Sequence, residues 1–572
     1  MNWQHHNTNG YRSAILSALV AGMFVVFVAA VMIRQYVGGS PAEPLRSERY
    51  RQLQAEISQD PRNQSVKDEL RRLDYQLRTA SFHRLALLQR GSWLAGIGAG
   101  VFLLAAGTAA VLRRKRPAPQ PLAKLQSVRR AAAVSRVAVI VAAGLLGAGV
   151  GTWAMRAGGD VGGESVVTQR PAAPTVEESL PPQDEYIRHW PRFRGPAGDG
   201  VSAYVNVPGD WDGPSGRGIL WKSPMSLPGE SSPIVWGDRV FVTGADKDRR
   251  AIFCYSAADG SLLWQRLAPS AAGVPTVTEE TGFAASIPAT DGRRVYAIFA
   301  SGDLVAVDFS GNLVWSKSLG VPTNPYGHAT SLITHGNMVL VQYDQGTSDE
   351  KKSRLIAFNG ADGKTLWTSA PREVDASWAT PVAAMVGPAW QIITCANPFV
   401  TAYDLAGQEL WRCECLGGEI APSPMMAGGR VLAVNAGSML AAIDPSGRGT
   451  VTATHLKSLA EEGLPDICSP VSDGQFIWLL ETSGLLTCLR LDDGKKVWEH
   501  KLEGSFRSSP SRVGDKLYVT NDKGVTYIVA AADKFQQAAA CELGEGTSCS
   551  FAFAEGRIYI RGKNNLFCVG SR

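Results

Sequence analysis

The chain has 572 residues, 45% hydrophobic and 19% charged, and its 57 Lys and Arg against 52 Asp and Glu leave a formal charge of +5. That near-neutral figure hides a split, because residues 1–159 carry +14 and the remainder −9. An acidic body excludes a nucleic-acid binder, which needs a basic patch on the folded domain itself, and the ordinary apolar content excludes disorder.

Three uncharged apolar runs, 13–33, 91–112 and 137–155, lie between Arg12 and Arg34, Arg90 and Arg113, and Arg136 and Arg156. Each approaches the roughly 20 residues that cross a bilayer core, so 1–157 reads as an anchor of three transmembrane helices. A cleaved signal peptide is the rival reading of the first run. It fits less well, since the run exceeds the usual apolar core of about 7–15 residues and Val28-Ala29-Ala30-Val31 matches an A-x-A cleavage site poorly. The loop between the second and third runs carries Arg113, Arg114, Lys115, Arg116, Lys124, Arg129, Arg130 and Arg136 with no acidic residue. Retention of Lys and Arg on the cytoplasmic side predicts a cytoplasmic N-terminus and a body beyond the third span on the extracytoplasmic, periplasmic side of the inner membrane. Between the first two spans, about 42–90, apolar spacing at Val66, Leu70, Leu73 and Leu77 predicts an external helical hairpin.

A Pro- and Gly-rich linker, 158–185, leads into a body, 186–572, that repeats itself. One unit reads Ser231-Ser232-Pro233, Gly237-Asp238-Arg239-Val240-Phe241-Val242, Ile252-Phe253-Cys254-Tyr255, Ala258-Asp259-Gly260, Leu263-Trp264. Trp221, Trp264, Trp315, Trp367, Trp411 and Trp498 end successive units at gaps of 43, 51, 52, 44 and 87 residues. The last gap spans two units, and the unit without Trp has Val451 in its place. The C-terminal unit lacks a last strand, whereas Gly218-Ile219-Leu220-Trp221 is a last strand with no unit before it. Pairing these leftovers closes a ring and removes its open sheet edge. The predicted fold is all-β, an eight-bladed β-propeller preceded by the α-helical three-span anchor, with the Trp residues packed structurally between blades.

The spacing Ala-x-Asp-x-x-Gly-x-x-x-Trp, as in Ala306 to Trp315 and Ala402 to Trp411, resembles the pyrroloquinoline-quinone (PQQ)-like repeat of eight-bladed propellers, a group that includes quinoprotein alcohol dehydrogenases and the outer-membrane assembly lipoprotein BamB. His189-Trp190-Pro191-Arg192-Phe193-Arg194-Gly195-Pro196, Tyr343-Asp344-Gln345-Gly346 and Ser377-Trp378-Ala379-Thr380-Pro381 look like the membrane-anchored propellers of planctomycete-type bacteria. That resemblance implies a BamB-like fold without assigned chemistry. The quinoproteins' adjacent cysteines and C-x-x-C-H haem motif are absent from the sequence, Cys413-x-Cys415 having the wrong spacing. Neither enzymatic activity nor a cofactor is therefore expected.

The first of nine cysteines is Cys254, so a lipid anchor near the start is not expected, and an assembly role at the outer membrane is in doubt. Cys254, Cys488 and Cys568 occupy the third-strand site held by Ala306, Ala357, Ala402 and Ala442 in other units, where a small buried residue is wanted. Cys468 and Cys549 fall near the ring axis, as packing residues or as thiol or metal contacts. The repeat alignment also brings Glu230, His328, Trp378, Asp466 and Arg507 to the mouth of the central channel, either as a binding mouth or as a solvated rim. The expected function is a non-catalytic, membrane-integral scaffold or binding module for envelope or periplasmic proteins, without nucleic acid; the alternative is a redox protein binding PQQ or another ligand.

Overall fold

A computed structural model describes residues 180–270 and 273–571, with six helical residues between 17 and 24. The chain divides into two compact units, Met1–Gly162 and Gly163–Arg572. The 91–112 and 137–155 runs, the 42–90 hairpin and most of the 13–33 run lie outside the described residues. Among the described residues no helix is long and apolar enough to cross a membrane.

The second unit is the eight-bladed ring. Its described residues form eight sheets, each built on four antiparallel strands, and two of them carry a fifth, parallel strand. Blade 1 runs from Ile234–Trp236 to Leu262–Leu267, blade 2 from Ala289–Thr290 to Leu313–Ser318, blade 3 from Ile333–His335 to Thr365–Thr368 and blade 4 from Val382–Val386 to Glu409–Glu414. Blade 5 spans Met425–Ala427 to Leu456–Ala460, blade 6 Val471–Ser472 to Lys496–Lys501 and blade 7 Ser511–Val513 to Gln537–Glu542. In blade 8 the strands from Ala552–Ala554 to Asn565–Val569 take their outer strand from the start of the body. Ile219–Pro224 pairs antiparallel with Asn565–Val569, with Trp221 opposite Cys568. The ring closes as the leftover strands predict.

Second and third strands are buried on both faces, as in Arg250–Ser256 and Met338–Tyr343, because each sheet has a neighbour on either side. The residue opposite each Trp is small: Cys254 faces Trp264, Ala306 faces Trp315, Ala357 faces Trp367, Ala402 faces Trp411 and Cys488 faces Trp498. A register shift beside each pair turns the indole toward the next blade. There the Trp221, Trp264, Trp315, Trp367 and Trp498 N–H groups donate to the carbonyls of Ala257, Phe309, Gly360, Leu405 and Ala532 at 2.8–3.1 Å. The repeat's glycine makes room for the ring. At Gly363, φ is +72° and an added Cβ would lie 2.7 Å from Trp315.

Blade 5 corrects one expectation. Val451 does not stand in a fourth strand, because Gly449–Thr450 crosses back to extend blade 4 beside Trp411 and Arg412. A short helix, Thr452–His455, then returns the chain to the true fourth strand, Leu456–Ala460. The insertion buries both Trp411 and Val451.

Candidate functional site

Before its first strand the body crosses the ring. Trp190 forms an isolated bridge with Val235 of blade 1, and the Pro191 carbonyl accepts the Thr290 N–H of blade 2 at 2.9 Å. Phe193 lines the central cavity. Arg194 then reaches blade 6, donating to the Ser469 carbonyl at 3.3 Å and to the Pro470 carbonyl, before Val201–Ser202 pairs with Arg512 and Val513 of blade 7. The segment singled out in the sequence is thus a plug beneath the lumen. Arg192 and Arg194 are both buried and bond to carbonyls rather than carboxylates. Burial disfavours the charged form and lowers the Arg194 guanidinium to about 10.

Above the plug lies a cavity of about 150 Å³, walled by two layers of residues. Its lower layer is a belt of seven hydroxyls and one isoleucine, one residue per blade. The N–H groups of Ile287, Ser331, Thr380, Ser423, Ser469, Ser509 and Ser550 donate in turn to the side-chain oxygens of Ser331, Thr380, Ser423, Ser469, Ser509, Ser550 and Ser232. These bonds measure 2.8–3.2 Å. Ile287 has no hydroxyl for Ser232, so the belt is broken once. It ties neighbouring blades together at the axis, where the sheets are narrowest.

Two residues earlier in every blade but the second, on the same side of the extended chain, stand Glu230, Ala329, Trp378, Ala421, Ile467, Arg507 and Ser548, which form the upper layer. Glu230 accepts a hydrogen bond from Ser548. Arg507 donates from Nε to Asp522 at 3.1 Å. Trp378 donates to Asn324 Oδ1 at 3.1 Å and meets Tyr326 edge-on, with centroids 4.9 Å apart.

Three of the five predicted mouth residues, Glu230, Trp378 and Arg507, therefore line the lumen together. The other two do not. His328 precedes Ala329 and turns into the protein, where it is 3% exposed and stacks on Tyr343 at 5.2 Å. Burial lowers its imidazole to about 4, and its Nε2 makes no hydrogen bond. Asp466 precedes Ile467, points to solvent and accepts from Thr482. The hydroxyl belt was missed, although the Ser-Pro and Thr-Pro steps at Ser232, Thr380, Ser423, Ser469 and Ser509 mark it in the sequence.

All nine cysteines are buried and free. Burial raises the Cys549 thiol to about 12 and pushes the Cys468 thiol higher still; neither is a reactive thiolate. Among the described residues no group of three or more His, Cys, Asp or Glu side chains is placed to hold a metal. The space of about 150 Å³ is on the order of the cavity that holds benzene, smaller than the tricyclic quinone named by the repeat.

The sequence profile of the family described as outer membrane protein assembly factor BamB matches residues 210–341, 273–451 and 351–538. Among curated relatives, BamB of Salmonella typhimurium is 26% identical over 145 residues, 25% of this chain and 32% of that protein. BamB of Moranella endobia is 30% identical over 109 residues, 19% of this chain and 24% of that protein. The matched stretches thus span a third or less of those relatives. Among solved structures, quinohemoprotein alcohol dehydrogenase from Comamonas testosteroni covers 68% of this chain and 81% of its own at 11% identity and TM-score 0.50. BamB from Moraxella catarrhalis covers 61% and 99% at 15% identity and TM-score 0.46.

Proposed function

Because the chain belongs to the family of the outer membrane protein assembly factor BamB, we propose that it is a non-catalytic interaction module of the cell envelope, tethered to the inner membrane by its N-terminal spans and presenting its ring to envelope proteins. The observation that carries this reading is the extent of the family match, which runs over blades 1 to 6 and three strands of blade 7 rather than over a single repeat. The side of the ring supports it. Leu262, Leu263 and Leu267 of blade 1, Leu313 and Val314 of blade 2 and Leu366 of blade 3 are all exposed on outer strands. Arg266 and Lys317 also stand on the outer strands of blades 1 and 2, but among the described residues the outer strands of blades 5, 6 and 8 expose no large apolar side chain and carry Lys457, Lys496, Lys501 and Lys222, charges that discourage edge pairing. An apolar row on three adjacent blades is the surface a protein partner would cover.

Photo-crosslinking residues placed at 263 and 314 of the full chain in living cells, with 496 as control, test this by mass spectrometry. The same envelope protein should be captured from 263 and 314 and not from 496. Equal capture from all three positions, or capture of cytoplasmic proteins, would overturn it. The tether has its own test: an alkaline phosphatase fusion should be active after Gly163 and inactive after Pro119, and the reverse pattern inverts the topology. Addition of PQQ and calcium to the purified chain should leave no bound absorbance and no dye reduction.

A further inference from the structure

We propose that the lumen binds a small zwitterion of amino-acid type, one carboxylate and one ammonium group on a short carbon frame. The site is separate from the outer-strand surface, so this inference goes beyond the interaction role, and either can fail alone.

The belt supplies the first argument. Each of its seven oxygens already accepts a neighbour's N–H, and among the described residues none of these hydroxyls donates its own hydrogen to a protein acceptor. All seven side chains belong to buried residues, no more than 6% exposed, that line the cavity. A hydroxyl has one donor to give, and all seven belong to residues that line the lumen. A ring of unused donors suits an oxygen-rich, negatively charged group.

Charge agrees with this, and it differs around the ring. At the floor, next to Ser469, Arg194 is a buried cation with only carbonyl partners. In the wall, Arg507 is held by Asp522 through Nε alone, and the described residues give its terminal nitrogens no hydrogen bond. Arg507, though paired with Asp522 through Nε, keeps its terminal nitrogens for a carboxylate on the belt, and Arg194 adds a buried positive charge behind it. In the same upper layer, beyond Ser548, Glu230 has one oxygen on Ser548, and its other oxygen meets no donor among the described residues. Arg561, buried behind it, donates to Ser231, Thr243 and Leu227 and leaves that oxygen free. An ammonium group would be taken there.

Shape completes the argument. Opposite Arg507, Ser548 and Glu230 stand Ala329, Trp378 and Ala421, an apolar wall for a methyl-sized side chain. The volume of about 150 Å³ admits roughly the bulk of a small ring.

Calorimetry on the purified full-length chain at neutral pH, with alanine, propionate and ethylamine as probes, isolates each charge. Propionate lacks only the ammonium group and ethylamine only the carboxylate. Alanine should bind, propionate at least about tenfold more weakly, and ethylamine not at all. Arg507→Gln should weaken alanine about tenfold, and Glu230→Gln should bring alanine and propionate to equal affinity. Equal binding of alanine and propionate by the wild-type chain, binding of ethylamine, or no heat with any probe would overturn the proposal. The wild-type comparison decides even if a variant fails to fold, and unchanged crosslinking from position 263 separates loss of this site from loss of the partner surface.

Discussion

The indole of Trp411 donates to Oε1 of Gln391 at 3.0 Å, and the same amide donates from Nε2 to the Pro445 carbonyl of blade 5 at 3.2 Å. In five other blades the Trp N–H reaches the next blade directly. Blade 4 instead relays the bond through a fully buried glutamine, because the 449–455 insertion occupies the space beside its outer strand. Gln391→Leu should leave a buried indole N–H and a carbonyl unpaired, at about 1–3 kcal/mol for each orphaned group. Denaturant unfolding measures it; a loss below about 0.5 kcal/mol would mean that the relay carries no stability.

The tryptophans should differ by environment. Trp411 is fully buried, so Trp411→Ala is expected to cost about 3–5 kcal/mol. Trp498 is half-buried against Phe535, and Trp498→Ala should cost less, roughly 2–3 kcal/mol. Equal losses in parallel melts would contradict the structure.

Gly363→Ala combines two penalties. Its left-handed backbone resists a side chain by about 1–2 kcal/mol, and the new methyl meets the Trp315 ring, where crowding adds about 1–3 kcal/mol. The variant should lose stability by chemical denaturation and shift the Trp315 emission.

His328 sets a pH dependence. Its folded-state value of about 4 lies below the ordinary 6.5, so between these values the unfolded chain binds a proton that the folded chain refuses. Stability from this group is therefore complete above about pH 6.5 and falls as pH drops toward about 4, by a total on the order of 3 kcal/mol. His328→Phe keeps the ring against Tyr343 and removes the titration, so its stability should lose this acid slope. An unchanged slope in the variant would rule out His328 as the source.

The belt predicts a local effect. Ser469→Ala removes the acceptor of the Ser423 N–H, and amide exchange at Ser423 should accelerate more than at sites elsewhere in blades 5 and 6. Ser469→Thr, which keeps the hydroxyl, should restore protection.

The ring was legible because each blade repeats the same physical problem: a small residue opposite a large indole, and a glycine under the neighbouring ring. Closure followed from counting strands. The displaced fourth strand of blade 5 was not legible, since the missing Trp and the double gap marked an irregularity without saying where the chain went. At the lumen the error was one of register. Glu230, Trp378 and Arg507 stand two residues before a belt position, whereas His328 and Asp466 stand three before Ser331 and Ser469, and a shift of one residue reverses the side chain's direction. The Ser-Pro steps would have fixed that register had the hydroxyl been taken as the reference point.

The plug has a mechanical meaning. Tension arriving along the chain from before Leu180 meets the clamp on blades 1, 2, 6 and 7, made by Trp190, Pro191, Arg194 and the 201–202 strand, before it reaches the 219–224 strand that seals the ring. The seam lies downstream of the load path. A pull on the ring would therefore be shared across the disc and would not unzip its closing strand first.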